Sequence, residues 1–308
     1  MCELHSWTAR AAQPPVWDAV LFNTELDLLE IRWSELDSAV DRFFILENNS
    51  TYYLSLYATM AEFAQRTVTF TGLPKSQDFA LNRKRFARFE HKIVYQSLAG
   101  TIEPHVEPFV VENKHRHSMN RLLRQHLPTD GPRPLVIFSD TDEIPSAHTI
   151  RLLKACKFPT PLHLRMRTFL YSFEWPYGDT SWRAQVHDWA DKISDYSHSM
   201  QSNLALADSG WHCTYVGRSC HCLNSAHTAL SYCFRYIDEF VTKMRGFSHA
   251  DRVGGSRRLL ASKRIQDVIC TGKDIFDMLP EVRPFLFPDF TSVANELQAY
   301  TVRPLYLK

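Results

Sequence analysis

Residues 135–145 read Leu135-Val136-Ile137-Phe138-Ser139-Asp140-Thr141-Asp142-Glu143-Ile144-Pro145. A short, uninterrupted apolar run is followed at once by a cluster of carboxylates and a proline. The run has the pattern of a strand buried on both faces, which belongs in a parallel sheet covered by helices. In such sheets ligands bind beyond the carboxyl ends of the strands, where this acidic loop falls. Two carboxylates at i and i+2 can face one hard divalent cation, and Mg²⁺ or Mn²⁺ share their oxygen shell with phosphates. The tripeptide alone is a weak signal; its position after a buried strand is what raises it.

The surrounding pattern agrees. Val16 to Phe22 is another apolar run, ending at Asn23. Leu26, Leu29, Trp33 and Leu36 then recur at helical spacing, with Glu25, Asp27, Glu30 and Arg32 between them. A second strand is expected over 40–46, closing on Glu47, Asn48 and Asn49, and a helix over 76–89 with Phe79, Phe86 and Phe89 on one face. A third strand over 92–98 and a third helix over 110–127 precede the acidic segment. Ser146 is suited to cap the next helix. The alternation over 162–173 predicts one half-exposed strand with His163, Arg165 and Arg167 outward, and helices are expected near 237–244 and 263–270. The fold class is therefore α/β, with a mostly parallel central sheet and helices on both faces.

Composition narrows the function. The chain has 308 residues, 35 Lys and Arg against 34 Asp and Glu, and a formal net charge of +1. Near-neutrality argues against a nucleic-acid binder as the default. No apolar run of membrane-spanning length occurs, and the first residues lack a signal-peptide pattern. Seven cysteines leave the redox compartment open. Cys213, Cys220, Cys222 and Cys233 with His212, His221 and His227 suggest zinc, but their spacing matches no paired-knuckle pattern and zinc is not expected. Trp175, Trp182, Trp189 and Trp211 could present flat rings to a ligand or fill the core.

Six phrases extend the reading. They are FNTELDLLEIRWSEL (22–36), VDRFFILENNS (40–50), TFTGLPK (69–75), FSDTDEIP (138–145), GWHC (210–213) and FSHADR (247–252). In this order the chain resembles glycosyltransferase family 17 over residues 2–281. The resemblance implies a GT-A type fold, with a single catalytic domain over 1–290 and a tail over 291–308. It implies an inverting N-acetylglucosaminyltransferase that uses UDP-N-acetylglucosamine and Mn²⁺, or Mg²⁺, and acts on a mannose hydroxyl of an N-glycan in the Golgi. The family's membrane anchor has no counterpart in this sequence.

Carried over by motif, Asp140 and Asp142 would bind the metal, with His249 as third ligand. Asn23, Glu25, Asp27, Glu47, Asp140 and Glu143 would line the donor site. Asp251, Glu239 and Glu174 are alternative general bases. Segments 50–68 and 214–230 split family phrases; they read as translated intron sequence or as surface loops, and either could impair the site. A sugar- or nucleotide-binding protein without turnover is thus the alternative function, and the acidic loop alone would also allow another metal-dependent phosphate enzyme. With the second segment removed, Cys213 and Cys233 would be neighbours able to form a disulfide in a luminal protein. Asn48 and Asn49 head overlapping glycosylation sequons, but lie close to the expected site.

Overall fold

The computed structural model of the chain describes residues 1–49, 76–98, 108–171, 183–190, 194–197, 199–214, 237–246, 252–253, 256–271 and 273–277. The elements run β1 (Thr8–Ala9), β2 (Val16–Phe22), α1 (Leu26–Leu36), β3 (Arg42–Asn48), α2 (Asp78–Leu81), β4 (Ile93–Leu98), α3 (Pro108–Gln125), β5 (Leu135–Phe138), β6 (Glu143–Pro145) and α4 (Ala147–Ala155). They continue β7 (Cys156–Lys157), β8 (Leu162–Leu164), β9 (Arg167–Leu170), β10 (Gln185–Asp188), β11 (Ala205–Leu206), β12 (Gly210–Thr214), α5 (Ile237–Gly246) and α6 (Ser262–Thr271).

The main sheet has the strand order β11-β8-β10-β5-β2-β3-β4. Strands β5, β2, β3 and β4 are mutually parallel, whereas β10 runs antiparallel to both β5 and β8. Side chains leave a strand on alternate faces, so each apolar run serves two cores. On one face Val20, Phe22, Phe43, Ile45 and Ile137 pack with Leu29, Trp33 and Leu36 of α1 and with Ile150 and Leu153 of α4. On the other, Ala19, Leu21, Phe44, Leu46, Val136 and Phe138 meet Met119, Leu122 and Leu123 of α3. Helices therefore cover both faces. Trp33 anchors the first core, stacked on Phe43 at 4.9 Å with the rings of Phe79, Phe86 and Phe89 edge-on around it.

A three-stranded sheet, β6-β12-β9, stands beside the main one and packs Ile144, Leu170 and Cys213 against Phe240 and Met244 of α5 and Ile265 and Ile269 of α6. Gly210 permits the close approach of β12 to β6: a Cβ there would lie 2.1 Å from the Ile144 carbonyl oxygen. Ser146 caps α4, its hydroxyl accepting from the Thr149 N–H.

Two expected elements differ. The helix over 76–89 is a single α-turn followed by a 3₁₀ segment, Arg83–Lys92. Three residues per turn sets Phe86 and Phe89 directly in line on the buried side, where the α period would offset them by about 60°. The strand over 162–173 is two strands in different sheets, β8 and β9, divided at Arg165 and Met166. His163 is buried rather than outward, and Arg32, expected among the polar positions of its helix, is completely buried.

The amino-terminal segment is tied to the far end of the sheet from the acidic loop. Cys2 forms a disulfide with Cys156, β1 pairs with β7, and Arg10 bonds Asp188, whose strand partner Leu135 begins β5. Cys233, the cysteine expected to pair with Cys213, lies outside the described residues.

His163 and His187 are both buried and hydrogen-bonded. His163 Nε2 accepts from the Gln201 and Ser202 N–H groups. Gln185 spends its amide hydrogens on the Ser197 and Ser199 carbonyls, so its Oε1 accepts and His187 Nε2 donates, at 3.0 Å. Burial, and then the neighbouring His163, lowers His187 from 6.5 to about 4. The unfolded chain therefore takes up this proton first. The stabilisation is complete above pH 6.5 and is lost as the pH falls from 6.5 towards 4. About 3 kcal/mol should be lost over that interval. Urea unfolding of the wild type and of His187→Gln across this range tests it: the wild type's advantage should shrink on acidification, and a constant difference would refute the assignment.

Candidate active site

The acidic loop is a turn fastened from inside. Asp18, at the centre of β2, has no exposed surface, and a carboxylate there requires a partner. Arg32 of α1 supplies it, Nη2 to Oδ1 at 2.5 Å and Nε to Oδ2 at 2.9 Å. The remaining guanidinium hydrogens go to the acidic loop: Nη1 donates to the carbonyls of Asp140 (3.0 Å) and Glu143 (2.6 Å), and Nη2 to the Ser139 hydroxyl (2.6 Å). Burial opposes the charge on Arg32, but Asp18 more than offsets this and holds its proton affinity above the ordinary value.

The turn closes through the Glu143 N–H on the Asp140 carbonyl at 3.0 Å, and the Asp140 N–H donates to the Glu143 carboxylate at 3.2 Å. The Thr141 hydroxyl donates to the Leu21 carbonyl, and the Cys213 N–H of β12 to that of Asp142. With the backbone spent inward, Asp140 and Asp142 remain as the turn's more exposed carboxylates.

The two aspartates face different surroundings. Asp140, 39% exposed, lies 3.6 Å from Arg116 of α3 and 3.4 Å from the Tyr196 hydroxyl. Tyr196 is stacked on Phe138 and donates to the Ser139 carbonyl; burial, then Asp140, pushes its phenol well above its usual value, so it stays a donor. Asp142 is less exposed. Its Oδ2 is 3.1 Å from Lys243 of α5 and its Oδ1 is 3.9 Å from His212 Nε2. Lys243 also reaches Glu25, at 3.3 Å. Burial, with Asp142 adding, raises the Cys213 thiol to about 12, so it stays a neutral thiol.

The other expected site residues divide. Asn23 is half-buried in the turn after β2. Glu25 stands at the start of α1 and joins the site through Lys243. Glu143 is buried beneath the turn it braces. Asp27 is ion-paired to Arg85 on the outer side of α1. Glu47 is fully buried and spends its carboxylate on the Phe79 and Ala80 N–H groups and the Tyr95 hydroxyl, so it braces the start of α2. His249, Asp251 and Glu174 lie outside the described residues, as does the side chain of Glu239. Trp189 belongs to the core, Trp211 packs half-buried against the second sheet's core, and Trp175 and Trp182 are not among the described residues. Asn48 is buried against His115, out of reach of glycosylation.

Asp140, Asp142 and His212 have the donor chemistry of an Mn²⁺ or Mg²⁺ site. The 3.9 Å between Asp142 Oδ1 and His212 Nε2 can be spanned by one ion about 2.1 Å from each. Among the described residues no three His, Cys, Asp or Glu converge on a single point.

Sequence reasoning missed Asp18, Arg32, Arg116, Tyr196 and Lys243, and singled out His212 only as part of a zinc set. The signal for Arg32 and Lys243 was phase: each lies beside or three or four residues from apolar partners, Leu28, Leu29 and Leu36 for one, Phe240 and Met244 for the other.

Parallel strands with a carboxylate turn at their carboxyl end are where an α/β protein places its ligand site. Comparison of sequences specifies the family. The sequence model of glycosyltransferase family 17 matches residues 1–67, 53–222 and 217–303, and the chain belongs to that family. It is also similar to the β-1,4-mannosyl-glycoprotein 4-β-N-acetylglucosaminyltransferases of Rattus norvegicus and Homo sapiens, each 29% identical over 171 residues, and to that of Mus musculus at 28%. These alignments cover 52% of this chain and 27% of each relative.

Arg32→Met should leave Asp18 as an uncompensated buried charge and cost about 3–5 kcal/mol. Asp18→Leu combined with Arg32→Met should recover much of that loss. Urea unfolding of the three proteins measures it; a single variant within 1 kcal/mol of wild type (about the effect of an ordinary substitution) would contradict the role given to the pair.

Proposed function

We propose that the chain is a metal-dependent, inverting glycosyltransferase of GT-A type. It moves N-acetylglucosamine from UDP-N-acetylglucosamine to a mannose hydroxyl of an N-glycan in β-1,4 linkage. The observation that carries this reading is the Asp140–Asp142 turn, fixed at the carboxyl end of β5 in a member of glycosyltransferase family 17. The mannosyl acceptor and the linkage are those in the names of the similar rat and human enzymes.

In this reading Asp140 and Asp142 hold the divalent ion, with His212 beside them and His249 as a further candidate. When bound, the ion neutralises charge on the departing diphosphate. Arg32 and Glu143 keep the two carboxylates aimed before the donor arrives, so little reorganisation is needed on binding. Asn23 and Glu25 flank the donor from the β2–α1 turn. An acceptor hydroxyl then attacks the anomeric carbon as UDP leaves, and a carboxylate takes its proton; Asp251, Glu239 and Glu174 are the proposed alternatives.

The Cys2–Cys156 disulfide suits an oxidising compartment and supports a Golgi-lumen setting. Among the described residues no helix is long and apolar enough to cross a membrane.

Purified protein with Mn²⁺, UDP-N-acetylglucosamine and N-glycan acceptors should release UDP and add one N-acetylhexosamine to the acceptor mass. Asp140→Ala and Asp142→Ala should each lower the rate by roughly 100-fold or more while the protein stays folded by circular dichroism. Retained activity would refute the metal assignment. Donor binding without turnover would favour the alternative, a sugar- or nucleotide-binding protein, and absence of donor binding would reject the transferase reading.

A further inference from the structure

Lys243 is the cation that the proposed reaction leaves unexplained. It lies in the last turn of α5, its side chain 7% exposed, in the second sheet's core region between Phe240 and Met244. Burying an ammonium is costly unless carboxylates surround it. Two do so, from different elements: Glu25 at the start of α1, 3.3 Å away, and Asp142 on the acidic turn, 3.1 Å away. The neutral Cys213 thiol lies within its electrostatic reach, and His212 stands on the other oxygen of Asp142. Among the described residues, two carboxylates share this ammonium.

We propose that Lys243 is a positioning residue of the acidic turn: its ammonium ties Asp142 to Glu25 before the donor enters, and it competes with a divalent cation for Asp142. The competition follows from geometry. Lys243 occupies Oδ2, and the oxygen left to a metal, Oδ1, is the one that faces His212. An ion ligated there shares its carboxylate with a fixed positive charge and is bound less tightly for it. The turn then holds metal weakly by itself, and tightly only when an anionic diphosphate brings further ligands and charge. Lys243 thus couples metal binding to donor binding. A lysine suits the role: its compact ammonium bridges two carboxylates on a flexible stem, whereas the planar guanidinium of Arg32 fixes one in place.

The proposal rests on the transferase reading, and one experiment separates their failures. Mn²⁺ binding is measured by the electron paramagnetic resonance of the free ion, with and without UDP, for wild type, Lys243→Met and Lys243→Arg. Without UDP, Lys243→Met should bind Mn²⁺ about tenfold more tightly than wild type, while Lys243→Arg stays within about threefold. The gain in Mn²⁺ affinity on adding UDP should be smaller in Lys243→Met than in wild type. A merely structural lysine would give the opposite sign, with a loosened turn and weaker metal binding. Unchanged or weaker Mn²⁺ binding by Lys243→Met would overturn the proposal. If that variant fails to fold, Lys243→Gln, which keeps a polar amide donor without the charge, carries the same test. A wild type that binds no Mn²⁺ even with saturating UDP would instead overturn the metal-dependent reading itself.

Discussion

The ion pair between Asp18 and Arg32 is the constraint from which the site is built. A carboxylate at the centre of a strand buried on both faces is tolerated only beside a cation whose own hydrogen-bonding groups are satisfied. Arg32 meets that condition with all five of its N–H groups, two on Asp18 and three on the 139–143 loop. The cost of burying Asp18 is thus turned into the anchorage of the acidic turn. A lysine could not take this part, because one ammonium cannot direct hydrogen bonds in a plane to both a carboxylate and two carbonyls. The helix, the strand and the turn are consequently one unit: α1 cannot shift along the sheet without dragging Asp140 and Glu143 with it.

The layers were legible in the sequence because burial on both faces leaves an unmistakable pattern. Val16 to Phe22 and Leu135 to Phe138 have no polar side, apart from Asp18, and the structure uses both sides of each. The acidic turn was legible for the same reason, since polar residues straight after such a run must leave the sheet at its ligand-binding end. Periodicity failed where two elements share one pattern. The alternation over 162–173 continues across a change of sheet at Arg165 and Met166, and the three-residue spacing of Phe86 and Phe89 is compatible with an α-helix until the tighter turn is seen. The Cys2–Cys156 bond joins residues 154 apart and could not be inferred from spacing.

Charges in the apolar phase of a helix were the signal that went unread. Arg32, Arg116 and Lys243 each fall on the buried side of their helices, and each reaches the acidic turn or its neighbours. Glu47 shows the converse. A family motif marks it for the donor site, yet its carboxylate is taken by two backbone N–H groups and a phenol, so its part is to fix α2. A motif records that a residue matters; the partners of its side chain decide what it does.

The two ends of the sheet thereby serve different purposes. At the amino ends of the parallel strands the disulfide, the β1–β7 pair and the Arg10–Asp188 bond close the fold. At the carboxyl ends, among the described residues, the cations Arg32, Arg116 and Lys243 lie against carboxylates or carbonyls, and Lys243 sits between Glu25 and Asp142. In the proposed reaction a metal at this turn would share Asp142 with that ammonium. On that reading the electrostatics that position the turn also favour retaining cation and diphosphate together.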